Sequence, residues 1–257
     1  MIPNSDRPAA PPTASATRAV ALDLALNLAL GLAVGAALCV SLLAGCATTP
    51  PLAADGWQQQ TLPGKPNTHY RWTQKEGRTA LQADSQQSAS LWRKRLDPAE
   101  PAPQQVRFSW WVQDLIPQAS VAQAHLEDSP ARVVFGFDGD RQRLSARNRN
   151  LFDLAETLTG EAPPFATLMY VWDPALPVGT VVVNPRTDRI RKIVVDSGPQ
   201  HLRSWRDHQR NLAEDFRRAF NEEPGALVSV AVMSDSDNTK SQARSWFGPV
   251  QWGVAKP

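Results

Sequence analysis

After Trp57, hydrophobic and polar residues alternate with a period of two along most of the chain. The clearest run is QQVRFSWWVQDL (104–115), where Val106, Phe108, Trp110 and Val112 fall on one face of an extended strand. THYRWTQ (68–74) and RTALQAD (78–84) are shorter runs split by KEG, a hairpin signal. Further strands are predicted over SASLWRKRL (88–96), ARVVFGFDGD (131–140), FATLMYVW (165–172) and the pair GTVVVNP (179–185) and RIRKIVVDSG (189–198). The period becomes helical over 146–159, where Leu151, Leu154, Ala155 and Leu158 recur at helix spacing until Gly160, Pro163 and Pro164 stop it. RSWRDHQRNL (203–212) reads as a strand running into the helix of AEDFRRAF (213–220), with Phe216 and Phe220 one turn apart. GALVSVAVMSDSDNT (225–239) is a buried strand with a polar exit, and ARSWFGPVQWGV (243–254) closes the domain. About ten short strands and two short helices predict a mainly β fold, an antiparallel β-sandwich of jelly-roll type.

The N-terminal part follows a different pattern. Residues 1–17 are polar and rich in Pro, Ala and Ser; Arg18 is the last positive charge before an apolar stretch that is clean from Leu28 to Leu43. That length suits the core of a signal peptide and is short for a spanning helix. It ends in Leu43-Ala44-Gly45-Cys46, which resembles the lipobox of bacterial lipoproteins. The resemblance implies acylation of the Cys46 thiol and cleavage before it. It divides the chain into a leader (1–45), a Pro- and Ala-rich tether (46–56) and a folded domain (57–254). Two or three acyl chains hold a protein on a membrane, whereas one is marginal. Ala47 in place of Asp after the cysteine implies the outer membrane, with the domain facing the periplasm. An uncleaved anchor with an incidental cysteine is the alternative.

Composition narrows the chemistry. Cys39 and Cys46 are the only cysteines, so the domain has neither a disulfide scaffold nor a cysteine-ligated metal. The net charge of +2 gives no basis for nucleic-acid binding. His69, His125, His201 and His208 make no helical metal pair, and neither H-E-x-x-H nor G-x-S-x-G occurs. No catalytic residue is assigned. Arg203, Arg206 and Arg210, with Asp207 and Glu214, read as a solvated charged surface.

Five runs together resemble one bacterial family, the DUF3047 domain of unknown function: SASLWRKRLDP (88–98), RFSWWV (107–112), LMYVWDPALPVGTVVVNPRTDRIRKIVVDSG (168–198), RNLAEDFRRAFNEEP (210–224) and VAVMSDSDNTKSQARSWFGPVQW (230–252). The resemblance implies an exported β-sandwich and no established reaction. The chain departs from it at Lys240, where Gly is common, and at Pro249, where Asp is common.

Two features carry binding chemistry. In SDSDNT (234–239), Asp235, Asp237 and Asn238 offer the hard oxygens that calcium prefers; the same residues also suit a turn cap or a ligand contact. Nine tryptophans form the second feature. Trp fills β cores, and an exposed indole stacks on flat rings. Trp110 and Trp111 are adjacent in a strand and point to opposite faces. Trp111 and Trp172 are the ligand-binding candidates. The expectation is an acylated envelope protein that binds a glycan or another envelope component without catalysis. An enzyme acting on envelope polysaccharide, or a structural partner of another envelope protein, are the alternatives. Cys46→Ser is expected to abolish metabolic labelling of the chain with a radioactive or clickable fatty acid; persistent labelling would refute the lipobox.

Overall fold

The computed structural model describes residues 56–253; the leader 1–45, Cys46 and nearly all of the tether lie outside the described residues. Thirteen strands and two α-helices are present among them. The strands are β1 (Trp57–Thr61), β2 (His69–Lys75), β3 (Arg78–Gln86), β4 (Ala89–Glu100), β5 (Gln105–Val112), β6 (Ser129–Phe137), β7 (Ala166–Asp173), β8 (Val181–Val183), β9 (Ile190–Ser197), β10 (Trp205–Asn211), β11 (Leu227–Asp235), β12 (Gln242–Phe247) and β13 (Gln251–Gly253). The helices are α1 (Ala146–Thr159) and α2 (Leu212–Phe220). None of the described helices is long and apolar enough to cross a membrane.

The strands form a sandwich of jelly-roll type. A seven-stranded sheet runs β1-β4-β11-β6-β7-β9-β8, and a six-stranded sheet runs β10-β5-β12-β3-β2, with the short β13 against β5. The expected antiparallel order holds except between β7 and β9, which are parallel. The three-residue β8 takes the sheet edge as the antiparallel partner of β9, so β9 sits directly beside β7 and runs the same way.

The alternation read in the sequence becomes the core. Val106, Phe108, Trp110 and Val112 of β5 face inward, where Phe135, Phe137, Tyr170, Trp172 and Val232 of the opposite sheet meet them. α2 closes one end with Phe216 stacked on Phe220 and edge-on to Phe137. Asn211 caps α2 by accepting from the Glu214 N–H, and the left-handed Asn221 ends it.

Between the sheets lie charged groups, among them Arg206 and Arg210, which the sequence places on a solvated surface. β10 is half-buried, and its inward positions are Arg206, His208 and Arg210. Asp196 of β9 accepts from Trp110 Nε1 (2.8 Å), His208 Nε2 (2.9 Å) and Arg206 Nε (3.0 Å). Asp215 of α2 accepts from Tyr170 Oη (2.8 Å) and takes two bonds from Arg210. The error has a physical cause: an edge strand of alternating charge looks solvated unless the opposite sheet presents buried carboxylates to it. Arg203 and Asp207 do stay outside, paired with Asp114 and Arg78.

Burial works to raise the Asp196 carboxyl, but His208, Trp110 and Arg206 outweigh it and hold the group below the ordinary carboxylate value. A carboxyl depressed in the folded state adds stability above its unfolded value, near pH 4, and loses it as pH falls through the folded value. Asp196→Asn is expected to cost roughly 3–5 kcal/mol in urea unfolding at pH 7, because buried donors lose their charged partner. The gap between parent and variant is expected to narrow below about pH 4; a gap independent of pH would show that the charge of Asp196 contributes nothing.

Candidate functional site

The outer face of the seven-stranded sheet carries an apolar groove. Arg93, Ala231, Val134, Met169 and Lys192 stand in one row across β4, β11, β6, β7 and β9. The adjacent row is Arg95, Ser229, Gly136, Thr167 and Ile190. Small residues in the middle of both rows make a trough. Gly136 is required there, since a Cβ would lie 2.5 Å from Ser229 Oγ and 2.7 Å from Pro164 Cγ.

α1 forms one wall of this trough. Ser145 caps it by accepting from the Asn148 N–H, and Gly160, left-handed at φ 71°, ends it. Asn148 ties the first turn to Asp188 and Thr187, and Phe152 packs into the core. The apolar stripe predicted for this helix is present but uncovered: Leu154 and Leu158 are 55% and 61% exposed. With Leu91, Val134, Met169 and Ile190 they enclose a groove of about 400 Å³. Among the described residues, no aromatic side chain lines it.

One end of the groove is charged. Arg93 donates twice to Glu161, at 2.9 and 2.7 Å, and Arg95 approaches the same carboxylate at 3.4 Å. Arg93 holds the Glu161 carboxyl below its ordinary range. Two guanidinium groups therefore share one carboxylate. The Arg93 side chain is only 9% exposed, yet its Nε–H has no acceptor.

A second cluster lies under the segment 113–128, which covers the other half of the same sheet face. Lys192, fully buried, donates to the Val121 carbonyl and pairs with Glu127, both at 2.7 Å. Burial pushes the Lys192 ammonium down to about 8, with Arg132 adding to the effect and Glu127 opposing it. Arg132 pairs with Asp235 at 3.0 Å and donates to the Glu127 carbonyl. Asp128 accepts from the Asn238 and Thr239 N–H groups and from Thr239 Oγ1. Burial pushes the Asp235 carboxyl up to about 8; Arg132 opposes this, and Asp128 and Glu127 reinforce it.

Of the three residues expected to bind metal, Asp235 and Asp237 come together, and Asp128 joins them with ligand oxygens within 4.8 Å. Asn238 instead uses its side-chain amide to hold the Ala124 carbonyl. Asp128 was not legible as a ligand, because it lies 110 residues from Asn238 in sequence and only the sheet register joins them. Asp128 and Asp235 are buried, so a polysaccharide chain cannot reach this carboxylate pair.

The two tryptophan candidates for ligand binding require correction. Trp172 is fully buried between the sheets and donates to the Gly198 carbonyl, so it has no face to offer. Trp111 does point away from Trp110, onto the outer face of the six-stranded sheet, in one register row with Trp205 and Trp246. But it is buried there: Trp246 meets it edge-on, the Lys75 ammonium lies 3.4 Å from its ring centroid, and its N–H donates to Glu76. The β2–β3 turn thus occupies the ring face that a sugar would need. Neither residue lines the groove.

The family model described as "Protein of unknown function (DUF3047)" matches residues 55–251. No curated protein matches the chain. Solved structures similar to it include endoglucanase 3 of Trichoderma harzianum from family GH12, at 8% identity and TM-score 0.41, covering 77% of this chain and 92% of that one. The family 11 xylanase of Neocallimastix patriciarum is 11% identical with TM-score 0.33, covering 76% and 98%. Cellulose induced protein, Cip1, is 8% identical with TM-score 0.32, covering 78% and 93%. Likenesses this distant carry no weight for function.

Glu161→Ala leaves the buried Arg93 guanidinium without its carboxylate. It is expected to lower stability by about 1–3 kcal/mol in chemical denaturation, and the double variant Glu161→Ala/Arg93→Met to recover most of that loss. A double variant no more stable than Glu161→Ala would show that the Arg93–Glu161 pair is not what the single change disrupts.

Proposed function

The chain belongs to the DUF3047 family, and we propose that its domain is a lipid-anchored envelope module that binds, without catalysis, the acyl portion of an anionic membrane lipid. The carrying observation is the groove: aliphatic walls, a floor of small residues, and at its end the Arg93–Glu161 pair, with Arg95 outside the lining but on the same carboxylate. Aliphatic lining favours a hydrocarbon chain over a sugar, whose hydroxyls need hydrogen-bonding partners and whose rings pack on aromatic faces. The excess guanidinium and the unpartnered Arg93 Nε–H favour an anionic headgroup. The position of the groove supports the same reading. β1 begins with Trp57 opposite Lys94 and Gln58 opposite Arg93, so the chain enters the domain beside the charged end of the groove. Acylated Cys46 would precede β1 by so few residues that the groove would stay near the membrane, at most about 3.6 Å of reach per residue.

The test is photolabelling of the full chain, reconstituted in liposomes, with phosphatidylglycerol carrying a photoreactive group in its acyl chain. Label is expected on peptides from α1 and β4. Leu154→Asp/Leu158→Asp places charge in an apolar groove and is expected to reduce that labelling by about tenfold or more, with an unchanged unfolding midpoint, since both side chains are already exposed. Equal labelling of parent and variant, or label spread evenly over the surface, would overturn the proposal.

A further inference from the structure

We propose that Asp128, Asp235 and Asp237 form a binding site for one hard divalent cation, with calcium as the best fit, which fastens the covering segment 113–128 to the exit of β11. The three carboxylates come from two distant parts of the chain and bring ligand oxygens within 4.8 Å of one another. Acidic side chains often cluster at surfaces without a ligand, but this cluster is largely withdrawn from water. The Asp235 side chain is 8% exposed; Arg132 satisfies one of its oxygens, while Oδ1 has no donor at all. A carboxylate oxygen buried without a donor is costly, and native structures rarely leave one in that state.

With every carboxyl ionised, Glu127, Asp128, Asp235 and Asp237 set four negative groups against the three positive ones of Arg132, Lys192 and Lys65. Each positive group is bonded elsewhere: Arg132 to Asp235 Oδ2, Lys65 to Asp237 Oδ2, and Lys192 to Glu127. None of them reaches Asp235 Oδ1. A cation between the three aspartates supplies the missing partner and offsets the repulsion between Asp128 and Asp235. The donor set is all oxygen, without His or Cys, which disfavours the softer transition metals and suits calcium, magnesium or manganese. Calcium tolerates the irregular arrangement of side chains from a strand end and two loops, whereas magnesium demands a near-ideal octahedron. The site is independent of the lipid groove, so each can fail without the other.

A proton shared between Asp128 and Asp235 is the competing way to satisfy Oδ1, and the experiment separates the two. The full chain, purified in detergent and stripped with chelator, is dialysed against calcium and analysed for bound metal, with melting curves in calcium, magnesium and chelator. One calcium ion per chain and a melting point a few degrees higher in calcium than in chelator are expected. Asp235→Asn and Asp237→Asn are each expected to weaken calcium binding by about tenfold or more. In chelator, Asp235→Asn is expected to melt below the parent, because the buried Arg132 loses its carboxylate, so each variant is judged by the difference between its own melting points in calcium and in chelator. No bound metal with equal melting points in calcium and chelator would overturn the site in favour of a shared proton. An undiminished calcium response in both variants would overturn the ligand assignment, and an equal response to magnesium would overturn the choice of calcium.

Discussion

β6 is buried at every one of its nine positions, and the outer layers of the fold follow from that constraint. Its odd-numbered residues, from Ala131 to Phe137, face the six-stranded sheet, where the other half of the sandwich core covers them. Its even positions, Arg132, Val134 and Gly136, point the other way and need a cover that a two-layer sandwich does not supply. The chain meets this need with two separate pieces. The segment 113–128 lies over Arg132 and the valines of neighbouring strands, and α1 with Pro164 lies over Gly136. The groove is the space that these two pieces leave open above Val134.

The cover explains why so much charge is buried on one sheet face. The segment has no regular secondary structure and pairs only part of its backbone within itself, such as Ser120 N–H with the Leu126 carbonyl, so its other buried carbonyls need donors from the sheet beneath. Lys192 and Arg132 are those donors, reaching the Val121 and Glu127 carbonyls, and their charges in turn require Glu127 and Asp235. Buried ion pairs of this kind contribute little net stability, since desolvation offsets most of the attraction, but removing one partner is costly. Their effect is to hold one position of the segment. Asp196 and Asp215 do the same between the two sheets, where aromatic packing alone would tolerate small slips.

The tryptophans show how far tertiary context can redirect a residue type. Three of them align across the outer face of the six-stranded sheet, an arrangement able to stack on a ligand, yet the β2–β3 turn places Lys75 and Glu76 over that row. The helix stripe has the opposite fate. Leu154 and Leu158 have the spacing of buried residues, but Asn148 and Phe152 anchor α1 so that those leucines border the groove instead of filling it.

What the sequence by itself determined is most of the elements and the inward face of β5. The period-two run of β5, the hairpin at KEG and the stop of α1 are local features, decided by backbone geometry and side-chain shape within a few residues. The likeness to DUF3047 was legible for the same reason, since it rests on contiguous runs. The tertiary structure alone decided that β9 runs parallel to β7, that Arg206 and Arg210 turn inward, that Trp172 is sealed in the core and that Asp128 meets Asp235. Each of these depends on a partner far away in the chain. The free energy of a charge or an indole is set by what it faces, and only the register between distant strands fixes that.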